Sequence, residues 1–137
     1  MRDPIWVRDD VVRAIHLRQL AEHGGAEGVR DAGLPESALA RTKNLWAYSD
    51  PKPDLAALAA SYAFGGVKNH SFVDGNKRTG YVLLRTFLLV NKHDITAPPE
   101  EKYATMLALA SGTLDEAALA DWIRARLRRI RKQARRD

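Results

Sequence analysis

Apolar residues recur at helical spacing along most of the chain, and short stretches rich in Gly, Pro and charged residues separate them. Period-2 alternation, the mark of a half-buried strand, is almost absent. The pattern predicts helices over residues 9–23, 35–46, 55–69, 76–91 and 100–110, and a last helix with an apolar stripe at Leu119, Trp122, Ile123, Leu127 and Ile130. We therefore expect an all-α single domain.

Helix-terminating and capping residues support this division. Two consecutive glycines at 24–25 end the first helix, and Pro51 and Pro53 interrupt the chain before the third. Asp54 is placed to cap that third helix, whose small apolar residues mark it as the buried centre of the fold. Residues 113–116, with Thr113 at the cap and Glu three residues on, read as a capping box for the last helix.

The composition narrows the possible classes of protein. The chain has 137 residues, of which 45% are hydrophobic, enough for one globular domain with a core. It has no cysteine, which excludes a disulfide scaffold, a thiolate zinc site and a cysteine nucleophile, and fits a reducing cytoplasm. No apolar run at the N-terminus resembles a signal peptide, and none elsewhere is long enough to span a membrane. We expect a cytoplasmic protein.

The formal net charge of +5 is concentrated at the C-terminus. Residues 122–137 hold eight basic residues against one acidic, hence +7, and the remaining residues carry a net −2. We divide the chain into a domain at 1–127 and a basic tail at 128–137. The tail could bind nucleic-acid phosphates, dock an acidic partner, or form a solvated helix face. No aromatic residue follows Trp122 to stack on bases, so the solvated face is favoured and nucleic acid is not the expected partner.

One polar segment, residues 70–80, lies between two strongly apolar ones. Gly75 allows close approach to the backbone, and the first amides of the helix that opens at Asn76 have no intrahelical acceptors. Together with the helix dipole, these amides form an anion site suited to phosphate. Lys77 and Arg78 add two cations, and the guanidinium can bind phosphate oxygens in a bidentate manner.

Two further residues fit a nucleotide-dependent transfer. Asp74 could hold Mg²⁺ that bridges phosphate oxygens, and the His70 imidazole could take a proton from an attacking hydroxyl. The alternative is structural, because His70, Asp74 and Arg78 also have the i, i+4, i+8 spacing of a charged stripe on one helix. The apolar flanks argue against a solvated stripe, but the pattern alone does not name a reaction.

Residues 70–78 (His-Ser-Phe-Val-Asp-Gly-Asn-Lys-Arg) resemble the signature of the Fic/Doc family, in its Doc (death-on-curing) toxin branch. Residues 14–25 and 30–40 also resemble that branch, and the similarity extends over about residues 4–127. The resemblance implies a Fic/Doc-like helical bundle in which the signature joins two central helices. It further implies the following roles: His70 as general base, Asp74 as Mg²⁺ ligand, and Gly75, Asn76, Lys77 and Arg78 as the phosphate cradle.

Two positions bear on the reaction that the resemblance implies. AMP-transferring Fic enzymes usually have Gly at the position of Lys77 and a second Arg at that of Tyr81, and the Doc-like variant presents the γ-phosphate instead. The implied activity is phosphorylation, with ATP and Mg²⁺, of a protein Ser/Thr hydroxyl, and the implied target is elongation factor Tu. AMP transfer and a non-catalytic nucleic-acid-binding module remain as alternatives.

Regulation and the surroundings of the signature give further expectations. No self-inhibitory Ser/Thr-x-x-x-Glu-Gly/Asn motif is present, so the resemblance implies a separate, Phd-like antitoxin. Trp46 and Tyr48 could form a flap that aligns the target, or could simply pack. The glycine pair 65–66 is better explained by close helix packing than by a nucleotide loop.

Overall fold

The computed structural model describes residues 3–23, 33–68 and 76–130. Over these ranges the chain is predominantly helical, which confirms the predicted all-α class, and two short strands complete it. In chain order the elements are α1 (Asp9–His23), α2 (Gly33–Tyr48), α3 (Leu55–Lys68), α4 (Asn76–Val90), β1 (His93–Ile95), α5 (Pro99–Ser111), α6 (Glu116–Arg126) and β2 (Leu127–Arg129).

Helix α3 is the centre of the fold, as its small apolar residues predicted. It packs on α2, α4, α5 and α6. Leu58 and Tyr62 are fully buried in it, and Leu84 and Phe87 are their fully buried counterparts in α4. The Tyr62 and Phe87 rings pack with their centroids 5.0 Å apart at an interplanar angle of 40°. Burial of each such large side chain contributes about 1.5–3 kcal/mol, so the α3–α4 pair is the main stabilising contact of the core.

The caps of α3 and α6 agree only partly with the sequence pattern. Asp54 caps α3 as predicted, since its Oδ1 accepts the Ala57 N–H at 2.9 Å. The cap of α6 is Asp115, whose Oδ1 accepts the Ala118 N–H at 2.8 Å, so the capping box with Thr113 is wrong. The Thr113 hydroxyl instead donates to the Ala108 carbonyl at the end of α5. Either side chain can cap a helix, but the Thr113 hydroxyl is hydrogen-bonded to the end of α5 and Asp115 takes the cap.

The end of the chain departs most from the predicted pattern, because the helix expected to continue through Ile130 ends at Arg126. Leu127–Arg129 form β2, which pairs antiparallel with β1 and places Leu127 opposite Ile95. The Thr96 N–H donates to the Arg126 carbonyl at 3.0 Å on one side of the pairing. Leu127 packs against the core although its backbone is extended. Its apolar side chain, four residues after Ile123, therefore resembled a further helical turn in the sequence.

Residues 128 and 129, assigned from the sequence to the basic tail, are thus part of β2. Residues 131–137, which hold most of the tail's charge, lie outside the described residues. Within the described ranges, every helix is too short or too polar to cross a bilayer.

Candidate phosphate-binding site

The signature connects the C-terminus of α3 to the N-terminus of α4. Helix α3 ends at Lys68 and α4 begins at Asn76, the residue at which the sequence predicted a new helix. Three of the predicted site residues, His70, Asp74 and Gly75, lie outside the described residues, so their roles stay predictions. The alternative of one continuous charged helix concerns the same segment and is likewise untested.

The other three predicted site residues open α4. Asn76, Lys77 and Arg78 are its first three residues, and its first turn contains no acidic side chain. The leading N–H groups of an α-helix have no acceptor within the helix, and the helix dipole places partial positive charge there. Two basic residues in that turn raise the local positive charge further. This end of α4 therefore has the backbone and the sequence of an anion-binding terminus.

A contact between two glycines sets the spacing of α3 and α4 close to the signature. A Cβ added to Gly66 would lie 3.1 Å from the Cα of Gly80 and 3.1 Å from the Leu83 Cδ1. Gly66 is two residues from the end of α3, and Gly80 is the fifth residue of α4. Close helix packing, the interpretation given to the glycine pair from the sequence, is confirmed for Gly66.

A cation lies beside α4 one residue beyond this contact. The Lys102 Nζ, on the first turn of α5, is 6.0 Å from the centroid of the Tyr81 ring. Tyr81 is partly buried and packs against the core. It is the position at which the resemblance to AMP-transferring enzymes would place an arginine. The sequence alone could not associate Lys102 with it, because the two are 21 residues apart in different helices.

The C-terminal half of α3 is fixed by a polar network that the sequence did not reveal. The Arg41 Nη1 donates to the Ser61 Oγ at 2.8 Å, and the guanidinium forms a two-pronged ion pair with Glu116. The same guanidinium lies 5.0 Å from the centroid of the Phe64 ring. The hydroxyl oxygens of Ser61 and Thr42, both fully buried, are 2.8 Å apart. The network joins α2 and α6 to the middle of α3, at Ser61 and Phe64.

The two aromatic residues at the end of α2 differ in their surroundings. Trp46 packs against the core, and the Lys52 Nζ lies 5.1 Å from the centroid of its ring and donates to its carbonyl at 2.6 Å. Tyr48 is 83% exposed. Packing thus accounts for Trp46. The target-aligning flap stays a prediction, and of these two residues Tyr48 has the exposure that such a flap needs.

The pKa shifts of the described residues arise from structural pairs. The hydrogen bond from Arg124, whose Nε lies 2.7 Å from the Asp54 Oδ2, lowers the pKa of Asp54. Burial alone would raise the pKa of Asp94, but hydrogen bonds from Arg85 and from its neighbour's amide outweigh it, so that pKa is lowered. Burial raises the pKa of Tyr62 to about 12. These groups hold elements together and lie apart from the signature in sequence.

No cluster of three or more His, Asp or Glu that could hold a metal is found among the described residues. The predicted Mg²⁺ ligand, Asp74, is not one of them. A single carboxylate is nonetheless a sufficient protein contribution for Mg²⁺, because this ion is commonly bound by one or two carboxylates together with substrate phosphates and water.

Comparison with known proteins bears on the same part of the chain. A profile described as "Fic/DOC family" matches residues 6–88, which include the whole signature and most of α4. A protein named "Toxin Doc" from Mycolicibacterium smegmatis is 37% identical to this chain over 90 residues. The aligned stretch covers 66% of this chain and 66% of that relative, so the match leaves about a third of the relative's length uncovered.

Proposed function

The chain belongs to the Fic/Doc family, and from that premise we propose that it is a Doc-type toxin kinase. It transfers the γ-phosphate of a nucleoside triphosphate, with Mg²⁺, to a Ser or Thr hydroxyl of a translation factor, elongation factor Tu. The observation that carries the proposal is the complete signature, residues 70–78, which in the sequence follows α3 and runs into the first residues of α4.

The polar residues and the glycine of the signature supply the groups that this reaction needs. The target hydroxyl oxygen attacks the γ-phosphorus, the bond from that phosphorus to the β-phosphate oxygen breaks, and the nucleoside diphosphate leaves. His70 accepts the hydroxyl proton. Asp74 would hold Mg²⁺, and the ion would supply positive charge to neutralise the phosphate oxygens. The amides that open α4, with Gly75 before them and the charges of Lys77 and Arg78, hold the transferring phosphate.

Lys77 and Tyr81 favour phosphate transfer over AMP transfer. Lys77 adds a side chain and a positive charge where AMP-transferring relatives have Gly, and Tyr81 replaces a cation by a neutral ring. An AMP transferase must hold the triphosphate in this cradle with its α-phosphorus toward the target hydroxyl. Both changes alter the cradle that would hold it in that orientation. AMP transfer is the second candidate, and it makes the same demands on His70 and Asp74.

A separate antitoxin is the proposed inhibitor. The chain contains no Ser/Thr-x-x-x-Glu-Gly/Asn motif that could occupy the γ-phosphate position from within. The relative from M. smegmatis is itself named a toxin. A toxin that lacks a self-inhibitory motif requires a separate protein as its inhibitor. The family resemblance suggests a Phd-like antitoxin.

The test uses bacterial extract, MgATP and the purified full-length protein. Mass spectrometry of the extract then identifies the modified protein and the group added to it. We expect one phosphate on elongation factor Tu with the wild type and with the control His93→Ala, whose imidazole lies in β1. His70→Ala should abolish the modification. A nucleoside monophosphate on the target would show AMP transfer instead of phosphorylation. Modification of the target by His70→Ala would contradict the role of His70 as the general base.

A further inference from the structure

We propose that Lys102 of α5 binds the phosphate chain of the nucleotide and so adds a third cation to those of Lys77 and Arg78. The inference rests on the proposed function, since it takes the N-terminus of α4 as the nucleotide site. Lys102 lies outside the signature and outside the segment matched by the family profile.

The position of Lys102 relative to α4 is the first argument. Its Nζ lies 6.0 Å from the centroid of the Tyr81 ring, and Tyr81 follows Lys77 by four residues, one helical turn. Side chains on an α-helix lean toward its N-terminus, so the ring of Tyr81 covers the turn that precedes it. The Lys102 ammonium group, which lies over that ring, is therefore on the side of the first turn of α4.

The absence of a competing partner is the second argument. No carboxylate of the described residues lies within ion-pair distance of the Lys102 ammonium group. The nearest acid in sequence, Glu101, is engaged elsewhere, accepting hydrogen bonds from the Trp122 Nε1 at 2.9 Å and the Arg126 Nε at 2.5 Å. The ammonium lies over the face of the Tyr81 ring, and an aromatic face leaves its donors available for an anion.

The electrostatics of α5 give a third argument. Lys102 is the fourth residue of that helix, where the helix dipole disfavours a cation and favours the acids Glu100 and Glu101 that precede it. A lysine at this position is locally unfavourable for α5. An anion bound between α5 and the first turn of α4 would remove that disadvantage, because it would face Lys102 and the positive end of α4 together.

Binding of MgATP to the full-length protein, measured by isothermal titration calorimetry, tests the inference. We expect Lys102→Met to weaken ATP binding about tenfold, as for the loss of one charge-assisted contact, and to leave adenosine binding unchanged because adenosine has no phosphate. Lys102→Arg should bind ATP nearly as well as the wild type. The matched control Lys43→Met, which removes an exposed lysine of α2, should bind both ligands normally.

Three results would overturn the inference, and the first two separate it from the proposed function. If the wild type binds ATP and Lys102→Met binds it equally well, Lys102 has no phosphate contact and the proposed kinase is unaffected. If Lys102→Met weakens adenosine as much as ATP, the lysine acts on the fold and not on the phosphates. If the wild type binds no ATP, both proposals fail together. In kinase assays, Lys102→Met should raise KM for ATP more than it lowers kcat.

Discussion

Gly66 of α3 faces the backbone of Gly80 of α4 close to the signature, and the gap between them is too narrow for a side chain at Gly66. The Cα of Gly80 is backbone and cannot rotate away from a Cβ at Gly66, which would lie 3.1 Å from it. Any side chain at Gly66 must therefore separate the two helices. Because the signature joins these helices, their separation would also change the distance that it spans.

Gly66→Ala should lower both stability and activity. Overpacking costs about 1–3 kcal/mol. The better helix propensity of alanine returns about 1 kcal/mol, so the free energy of unfolding in urea should fall by a net amount of up to about 2 kcal/mol. Target modification should fall as well under conditions in which the variant remains folded.

Gly112 provides the matched control. A Cβ there would meet no atom within 4 Å, and the residue has a φ of +88° at the end of α5. Gly112→Asn, which tolerates that backbone conformation, should keep nearly normal stability and full activity. Equal stability of Gly66→Ala and the wild type would show that the glycine contact does not set the helix spacing.

Arg41→Met should loosen the middle of α3 by removing its ties to Ser61 and Glu116. Hydrogen bonds to charged groups contribute about 1.5–3 kcal/mol when buried, but the Arg41 side chain is 44% exposed and solvent screens its ion pair. We therefore expect a loss of about 1–2 kcal/mol of unfolding free energy. Lys43→Met, two residues further along α2, should change it by less than about 0.5 kcal/mol. Similar values for the two variants would contradict a bracing role for Arg41.

Asp94 should make the protein less stable in acid. Its pKa in the folded protein is lowered from the ordinary value of 3.8, so its contribution is present above that value and is lost as the pH falls through the folded pKa. Unfolding measured at about pH 6 and about pH 3 should show a smaller decrease of the unfolding free energy in Asp94→Asn than in the wild type. Arg85→Met should reduce the decrease similarly, since Arg85 is the ion-pair partner of Asp94. An unchanged pH dependence in both variants would exclude the pair as its source.

Two truncations should distinguish the contribution of β2 to stability from that of the basic residues that follow it. Removal of residues 131–137 retains β2, whereas removal of residues 127–137 also deletes β2, exposes β1 and uncovers the core at Ile95. The longer truncation should therefore be markedly less stable in urea unfolding. The shorter one also tests the nucleic-acid alternative, because a kinase keeps its cellular toxicity without those residues and a module that binds through them loses it.

The elements predicted correctly from the sequence are those specified by local residues. The Asp54 cap, the start of α4 at Asn76 and the apolar α3 each depend on a few neighbours in the chain. The errors occur where a residue has a partner other than the one that its local pattern indicates. Leu127 continues a helical spacing but pairs with the distant Ile95, and the Thr113 hydroxyl donates to the end of α5 instead of capping α6.

The surroundings of the candidate site show the same limit. The signature residues could be named from the sequence because they are contiguous. The Arg41 network and the proximity of Lys102 to Tyr81 could not, because each joins residues of different helices that become neighbours only when α3 is packed. Gly66 lies between these cases: a glycine pair in a buried helix signals close packing, although it does not identify Gly80 as the partner.

The kinase proposal is tested most directly by measuring which phosphate of ATP is transferred to the target. Purified elongation factor Tu is incubated with the full-length protein, Mg²⁺ and ATP labelled either at the γ-phosphate or at the α-phosphate. The proposal predicts label on the target from γ-labelled ATP only, and none from either ATP with His70→Ala. Transfer of label from α-labelled ATP would contradict phosphorylation and establish AMP transfer as the reaction.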